Sequence, residues 1–535
     1  MEKFTRTATL CMSLCTSLAI AAPCSSNGSA VVDLGYAEAM GAVNATQGTV
    51  SYYGLRFAQA PVEDLRWRAP VSIETSSNMS PKPVLNATQY GPQCVQGSPL
   101  WIGNEAGTFP LTSSPDPAPV RESSEDCLLL DVIVPQQPKH DSLPVIVQIH
   151  GGGYTIGSSS SSDGHTFVTR SNGSLIWVQI QYRLGAYGFL GGGAVVDDGD
   201  TNIGLLDQRL ALQWVQKYIS AFGGDPTKVT IWGASAGGGS VVNNLIAYGG
   251  QDNPPFRAAI GQYPWMQPFH DHKTLNSQFQ LLLAATNCTD IACLRSLDYG
   301  TLANATQKTY VDGYASGLYG FGDFFYGPYI DGKFIRAYPS QEWAQGHFSK
   351  VPMLLDHDEF EEQLAHAYYR HDIHKFFDQY NGGLASPQIL NFTKQQTNYW
   401  KTQDLFGDTF VNCGTYHGAI AAGNAGVPVW KLIFAAGNFF HGASFPYLFY
   451  RSSTTANSTL ADKMKDYYQA FVVDLDPNSG SISTGSSRPF WPQYTSGSGN
   501  LQVLQVNETN IGVQDDTDAN GRCDFWGSQP YFAKS

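Results

Sequence analysis

The chain has 535 residues, 14% of them charged and 13% aromatic, with a formal net charge of −14. That balance excludes a disordered chain and fits an ordered, aromatic-rich globular protein with ample length for a large core. The negative charge and the lack of any Lys/Arg-rich run exclude nucleic acid and anionic membrane surfaces as partners, because both are held chiefly by clustered cations.

At the N-terminus, Lys3 and Arg6 precede an apolar run from Leu10 to Ala22 that holds the small-residue pattern Ala19-Ile20-Ala21. This layout predicts a secretory signal peptide over 1–21, followed by one domain over 22–535; the run is too short to span a bilayer. No later stretch reads as a transmembrane helix and the C-terminus lacks a lipid-anchor signal, so a secreted, extracellular protein without a membrane anchor is expected. Cys11 and Cys15 leave with the signal, and Cys24, Cys94, Cys127, Cys288, Cys293, Cys413 and Cys523 remain. Spacing alone does not set their pairing. N-x-S/T sequons at Asn27, Asn44, Asn78, Asn86, Asn172, Asn287, Asn304, Asn391, Asn457 and Asn507 are candidate glycosylation sites, in keeping with secretion.

From 31 to 71, short β-type runs broken by Gly and Pro predict an N-terminal sheet packed on the main body. Residues 94–127 read as a long loop, a feature that often serves as a lid or as the wall of a binding gorge. Apolar, β-branched runs then predict strands at 129–134, 145–149, 176–181, 229–232, 258–262, 353–355 and 427–434. Between two of them, 205–219 places Leu206, Leu210, Leu212, Val215 and Ile219 near one helix face. Strands alternating with helices predict an α/β fold with a mostly parallel sheet covered on both sides. The helical, aromatic-rich stretches 271–343 and 359–405 read as cap insertions.

The chemistry concentrates where strand 229–232 runs into Gly233-Ala234-Ser235-Ala236-Gly237. A G-x-S-x-G turn between strand and helix lifts a serine hydroxyl above a sheet, which makes Ser235 the candidate nucleophile. After strand 145–149 comes His150-Gly151-Gly152-Gly153-Tyr154, whose backbone N–H groups can approach a substrate carbonyl unobstructed by side chains. Gly152, Gly153 and the N–H of Ala236 are the candidate oxyanion-hole donors. Losing one such donor typically costs about 3–4 kcal/mol of transition-state stabilisation. A phosphate-binding loop is the competing reading, and it lacks both the G-x-G-x-x-G spacing and a Walker lysine.

These motifs are joined by Ser124-Glu125-Asp126-Cys127-Leu128, Tyr182-Arg183-Leu184-Gly185, Asn202-Ile203-Gly204-Leu205-Leu206-Asp207-Gln208 and Phe222-Gly223-Gly224-Asp225-Pro226. Together they resemble the type-B carboxylesterase/lipase family, the cholinesterase-like branch of the α/β-hydrolases, and most of all its secreted fungal members. The resemblance implies the α/β-hydrolase fold, with an N-terminal β extension and helical caps, and a Ser-Glu-His triad. His441, in Phe440-His441-Gly442-Ala443-Ser444-Phe445-Pro446-Tyr447, resembles the family's H-G-x-E/D-x-P-Y block and is the implied base; His417 reads as structural. In Met353-Leu354-Leu355-Asp356-His357-Asp358-Glu359-Phe360, the family's strand followed by D-E-G assigns the acid to Glu359, with Asp356 and Asp358 close enough to compete. The implied disulfides are Cys94–Cys127, Cys288–Cys293 and Cys413–Cys523, leaving Cys24 unpaired.

Two departures bear on substrate. Ala234 stands where many relatives have a glutamate before the serine, which argues against cationic choline esters. Ser444 replaces the acidic residue three positions after the histidine. The expected function is a carboxylic ester hydrolase working through an acyl-enzyme on small, neutral, apolar or aromatic esters, with no metal or organic cofactor required. Tyr154, Trp101, Trp265, Phe269 and Phe439 are candidates for the pocket wall, core packing being as good a reading for each. The alternatives are a triacylglycerol lipase with the 94–127 loop as an interfacial lid, and a non-catalytic, cholinesterase-like binding protein.

Overall fold

The computed structural model describes residues 29–73, 82–101, 121–320, 322–361, 406–437, 440–482, 487–495 and 501–528. The expected signal peptide, Cys24, the sequons Asn27, Asn78 and Asn391, Phe439, most of the 94–127 loop and most of the second expected cap stretch lie outside the described residues.

Among the described residues, one sheet of 13 strands runs in the order β1-β2-β3-β5-β7-β6-β8-β9-β10-β11-β12-β13, with β4 beside β2. The strands are β1 Ser29–Asp33, β2 Glu38–Asn44, β3 Thr49–Arg56, β4 Val84–Ala87, β5 Leu129–Pro135, β6 Leu143–Ile149, β7 Ile176–Ile180, β8 Gly224–Ala234, β9 Ala258–Gln262, β10 Met353–Asp358, β11 Val429–Ala435, β12 Gln502–Asn507 and β13 Ile511–Asp515. From β7 to β12 every neighbouring pair is parallel. Both faces of these strands are covered, so they read in sequence as near-continuous Val/Ile/Leu runs.

The N-terminal strands correct one expectation. They do not form a separate sheet packed on the body: β3 pairs antiparallel with β5, Val50 opposite Val134, and so extends the central sheet at its edge. Backbone hydrogen bonds along an open edge join strands more directly than face-to-face packing would. Helix Ile203–Tyr218 buries Leu205, Asp207, Leu212 and Val215 fully, and Leu206 and Leu210 pack half-buried against the same core as Leu212, Val215 and Ile219. A buried salt bridge ties this helix to the loop after β7: Asp207 accepts from Arg183 Nε at 2.8 Å and Nη2 at 2.7 Å. The Glu125 of the S-E-D-C-L motif has a similar task, gripping Arg66 through two 2.7 Å contacts and fixing the N-terminal segment.

The strands' twofold alternation splits the core in two. Val145, Val147 and Ile231 share one cluster with Leu205, Leu212 and Val215 of that helix. Ile146, Trp177 and Trp232 share the other with Phe449, Met464 and Tyr468. Disulfides join Cys94 to Cys127, Cys288 to Cys293 and Cys413 to Cys523. The last closes 110 residues, a loop for which chain entropy alone gives about 5 kcal/mol. Of the described sequons, Asn86, Asn172, Asn287 and Asn304 are exposed and Asn44, Asn457 and Asn507 half-buried.

Candidate active site

The site stands at the C-terminal ends of β6, β8, β10 and β11, where parallel strands release their chains into loops. β8 ends at Ala234, helix Ala236–Ile246 begins two residues later, and Ser235 between them has φ 58° and ψ −126°. A side-chain-bearing residue with positive φ is strained, and such strain gathers at functional turns. Ser235 is held there on three sides: its N–H donates to Gln262 O at 3.1 Å, and its carbonyl accepts from Gly239 and Trp265 N–H at 2.9 Å each. The turn also needs its flanking glycine, since a Cβ on Gly237 would lie 2.1 Å from Ile149 O.

The loop after β6 lies directly against the serine, with a Cβ on Gly151 falling 3.1 Å from Ser235 Cβ. Gly152 and Gly153 take φ of 104° and 60°. Their N–H groups donate to no acceptor among the described residues, and that of Ala236, first in its helix, has no intrahelical acceptor. His150 accounts for how the loop keeps this shape. Its Nδ1 lies 2.9 Å from Gly151 O. A trans peptide points its C=O and N–H in opposite directions, so fixing the Gly151 carbonyl turns the Gly152 N–H away from it. Burial lowers the His150 pKa to about 4, leaving a neutral ring stacked on Tyr182 at 4.4 Å.

His441 lies in the loop after β11, with Nε2 2.8 Å from Ser235 Oγ. Its Nδ1 meets Glu361 Oε2 at 2.5 Å. The carboxylate against the imidazole is therefore that of Glu361, not Glu359, and the assignment of the acid to Glu359 is corrected here. Strand alternation explains the difference. Side chains along β10 point to opposite faces in turn, so Glu359, whose N–H still bonds Phe434 O at 2.8 Å, falls on the side of His357. The chain leaves the sheet at Phe360, and Glu361 turns back until its Oε1 accepts the Asp358 N–H at 2.6 Å. The signal available in sequence was the second glutamate of Glu359-Phe360-Glu361, two positions beyond where the D-E-G pattern was laid.

Neither competing aspartate contacts the imidazole. Asp356 accepts from Tyr468 OH and the Tyr263 N–H, and burial pushes its pKa up to about 7 against those donors. Asp358 accepts from the loop that carries His441; burial, Glu361 and Asp356 push its carboxyl up, and the N–H groups of Gly442 and Ser444 pull against them. His417 sits in helix Cys413–Asn424, its Nε2 3.0 Å from Cys523 O and far along the chain from the serine.

Aromatic rings surround the histidine. Tyr263 and Trp265 meet it edge-on at 4.9 and 5.9 Å, and Trp265 stacks on Phe410 at 4.6 Å. Phe324 lies against Trp101 at 5.2 Å and so close to Gly153 that a Cβ there would meet its ring at 2.1 Å. Tyr154, by contrast, is core: it is 1% exposed and packs on Phe189. Among the described residues, Asp408, Cys413 and Cys523 are close enough to share a metal ion, but the two sulfurs are joined as a disulfide and offer no thiolate.

The sequence matches the carboxylesterase family from residue 29 to residue 526. The chain belongs to that family. It is similar to carboxylesterase patB of Aspergillus clavatus, 29% identical over 93% of this chain and 95% of the relative. With secreted lipase 1 of Botryotinia fuckeliana it shares 31% identity over 86% of each chain. Among solved structures, EstA of Aspergillus niger superposes with a TM-score of 0.79 at 27% identity, covering 95% of this chain and 100% of that one. The family carries the α/β-hydrolase fold expected from the motifs, and its reaction class is carboxylic ester hydrolysis.

Proposed function

We propose that this chain is a secreted carboxylic ester hydrolase that works through an acyl-enzyme on Ser235, with His441 as base and Glu361 as acid. The observation that carries the reading is the continuous hydrogen-bond chain from Glu361 through His441 to Ser235 Oγ. In the first half-reaction, His441 Nε2 takes the serine proton as Oγ bonds to the ester carbonyl carbon. The negative charge gathering on the carbonyl oxygen is met by the N–H groups of Gly152, Gly153 and Ala236. Glu361 holds the Nδ1–H tautomer and stabilises the imidazolium. The imidazolium then gives its proton to the departing alcohol as the C–O bond breaks. In the second half, water takes the place of the serine hydroxyl, and the acid is released as Ser235 recovers its proton.

Two features favour neutral, apolar or aromatic esters. Buried Ala234 puts a methyl group where a glutamate would add negative potential, and the rings of Trp265, Phe324, Phe406 and Phe410 cluster beside the histidine. The relative named a secreted lipase supports both export and a second reading, a lipase acting on lipid surfaces. The test is a panel of esters varying in acyl length, ring content and charge, run with Ser235→Ala beside the wild type. Loss of hydrolysis in the variant and a preference for uncharged esters are expected. Undiminished hydrolysis by Ser235→Ala sinks the mechanism, and a jump in rate above substrate solubility moves the reading to a lipase.

A further inference from the structure

We propose that Asp358 is a positioning residue for the triad base, holding the loop that carries His441 in place by its backbone. The inference rests on the triad reading above. Asp358 is the last residue of β10 and fully buried. Its Oδ2 accepts the N–H groups of Gly442 at 2.7 Å and Ala443 at 3.1 Å, and its Oδ1 accepts that of Ser444 at 3.0 Å. Three consecutive residues after the histidine thus converge on one carboxyl group. The Asp358 N–H, on the other side, donates to Glu361 at 2.6 Å. A single residue at the end of a rigid central strand therefore fixes both the acid and the chain segment of the base.

Within the loop the Ala443 N–H also donates to Phe440 O at 2.7 Å. Residues 440–444 lie in no sheet ladder, Gly442 has φ 89°, and the short helix Phe445–Phe449 starts only after them. Ser444, the third residue after the histidine, also ties the loop down, its Oγ accepting from Gln262 Nε2 at 3.0 Å. Gln262 also bonds the Ser235 N–H through its carbonyl, so loop and nucleophile turn share one scaffold. Small misplacements suffice to matter: a shift of about 1 Å in a catalytic group can cost about a hundredfold in rate.

The experiment compares D358A, D358N and the double variant D358A/S444D with wild type and S235A on one uncharged ester. Rates are referred to the folded protein, counted by circular dichroism and by complete labelling of Ser235 with an organophosphonate. D358A is expected to lose about a hundredfold in kcat with KM within about threefold, since binding does not use the loop backbone. S444D, placing a carboxylate on the loop itself, is expected to restore at least about tenfold of that loss. A kcat for D358A within tenfold of wild type, an equal change in kcat and KM, or no recovery in the double variant overturns the proposal. Should D358A fail to fold, D358N decides: a kcat loss of about tenfold or more at unchanged KM supports the role, and a smaller loss overturns it. Hydrolysis surviving in S235A would instead remove the triad reading, whatever Asp358 does.

Discussion

The two faces of strand β10 carry opposite electrostatic designs within two residues of each other. On one face His357 Nε2 meets Asp518 at 2.7 Å, and Lys431 from β11 lies between Asp518 at 2.5 Å and Asp516 at 2.7 Å. Each buried carboxylate there has a cation, and Asp516 also takes the Tyr494 hydroxyl at 2.6 Å. On the other face Asp356, Asp358 and Glu361 are all buried, and backbone N–H groups, Tyr468 and the His441 imidazole hold them. The first cluster is compensated at rest and acts as a structural clamp between β10, β11 and the C-terminal segment. Among the described residues, the second faces no Lys or Arg and gains a cation when His441 is protonated, which is what an ester hydrolase needs at the moment of proton transfer.

That contrast can be broken from either side. The largest effects belong to the uncompensated face: Ser235→Ala should lower kcat by about 10⁶, and Glu361→Gln by about 10³–10⁴, with melting temperature little changed. Glu359→Gln should stay within about threefold of wild type. Steady-state kinetics on one ester check all three, and a larger loss for Glu359→Gln than for Glu361→Gln would reverse the assignment of the acid.

On the compensated face the expected loss is in stability. Lys431→Met leaves Asp516 and Asp518 buried without their cation, which should cost about 3–5 kcal/mol in urea unfolding while kcat per folded molecule holds within about twofold. A cost below about 1 kcal/mol would mean that the clamp does not stabilise the fold.

The smallest effect is the pH dependence of the same clamp. Burial pushes His357 down, but Asp518 facing it more than reverses this and raises its pKa above the ordinary value. The proton is therefore held more tightly in the folded chain than in the unfolded one. Its contribution to stability is complete below the unfolded pKa of about 6.5 and is lost as pH rises through the higher folded value. The melting-temperature advantage of wild type over His357→Gln should accordingly shrink as pH is raised above about 6.5. An advantage independent of pH would show that His357 does not exchange its proton on unfolding.

The site was only partly legible in the sequence because its parts differ in how local they are. The turn around Ser235 and the loop at Gly152 and Gly153 are written in consecutive residues, since glycines are needed wherever another backbone approaches within van der Waals contact. The histidine block was found by its resemblance to the family's H-G-x-E/D-x-P-Y pattern. The acid was misplaced by two residues because a carboxylate's role depends on which way the chain leaves the sheet, and alternation along β10 sends Glu359 to the side opposite His441. The N-terminal strands were found as strands but given the wrong neighbour, since a β run in sequence does not name the edge on which it pairs.

What the sequence by itself determined is the run of core strands from β5 to β11, the strained nucleophile turn, the glycine loop and, by resemblance, the family. The strands, the turn and the glycine loop follow from short-range sterics and periodicity, the family from the resemblance of its motifs. The tertiary structure alone decided which carboxylate reaches the imidazole, that β3 continues the central sheet, and that a buried aspartate on β10 holds the loop of His441. Those depend on contacts between residues some 80 positions apart, such as Asp358 with Gly442, and on the twofold alternation that sorts neighbours on one strand into two environments.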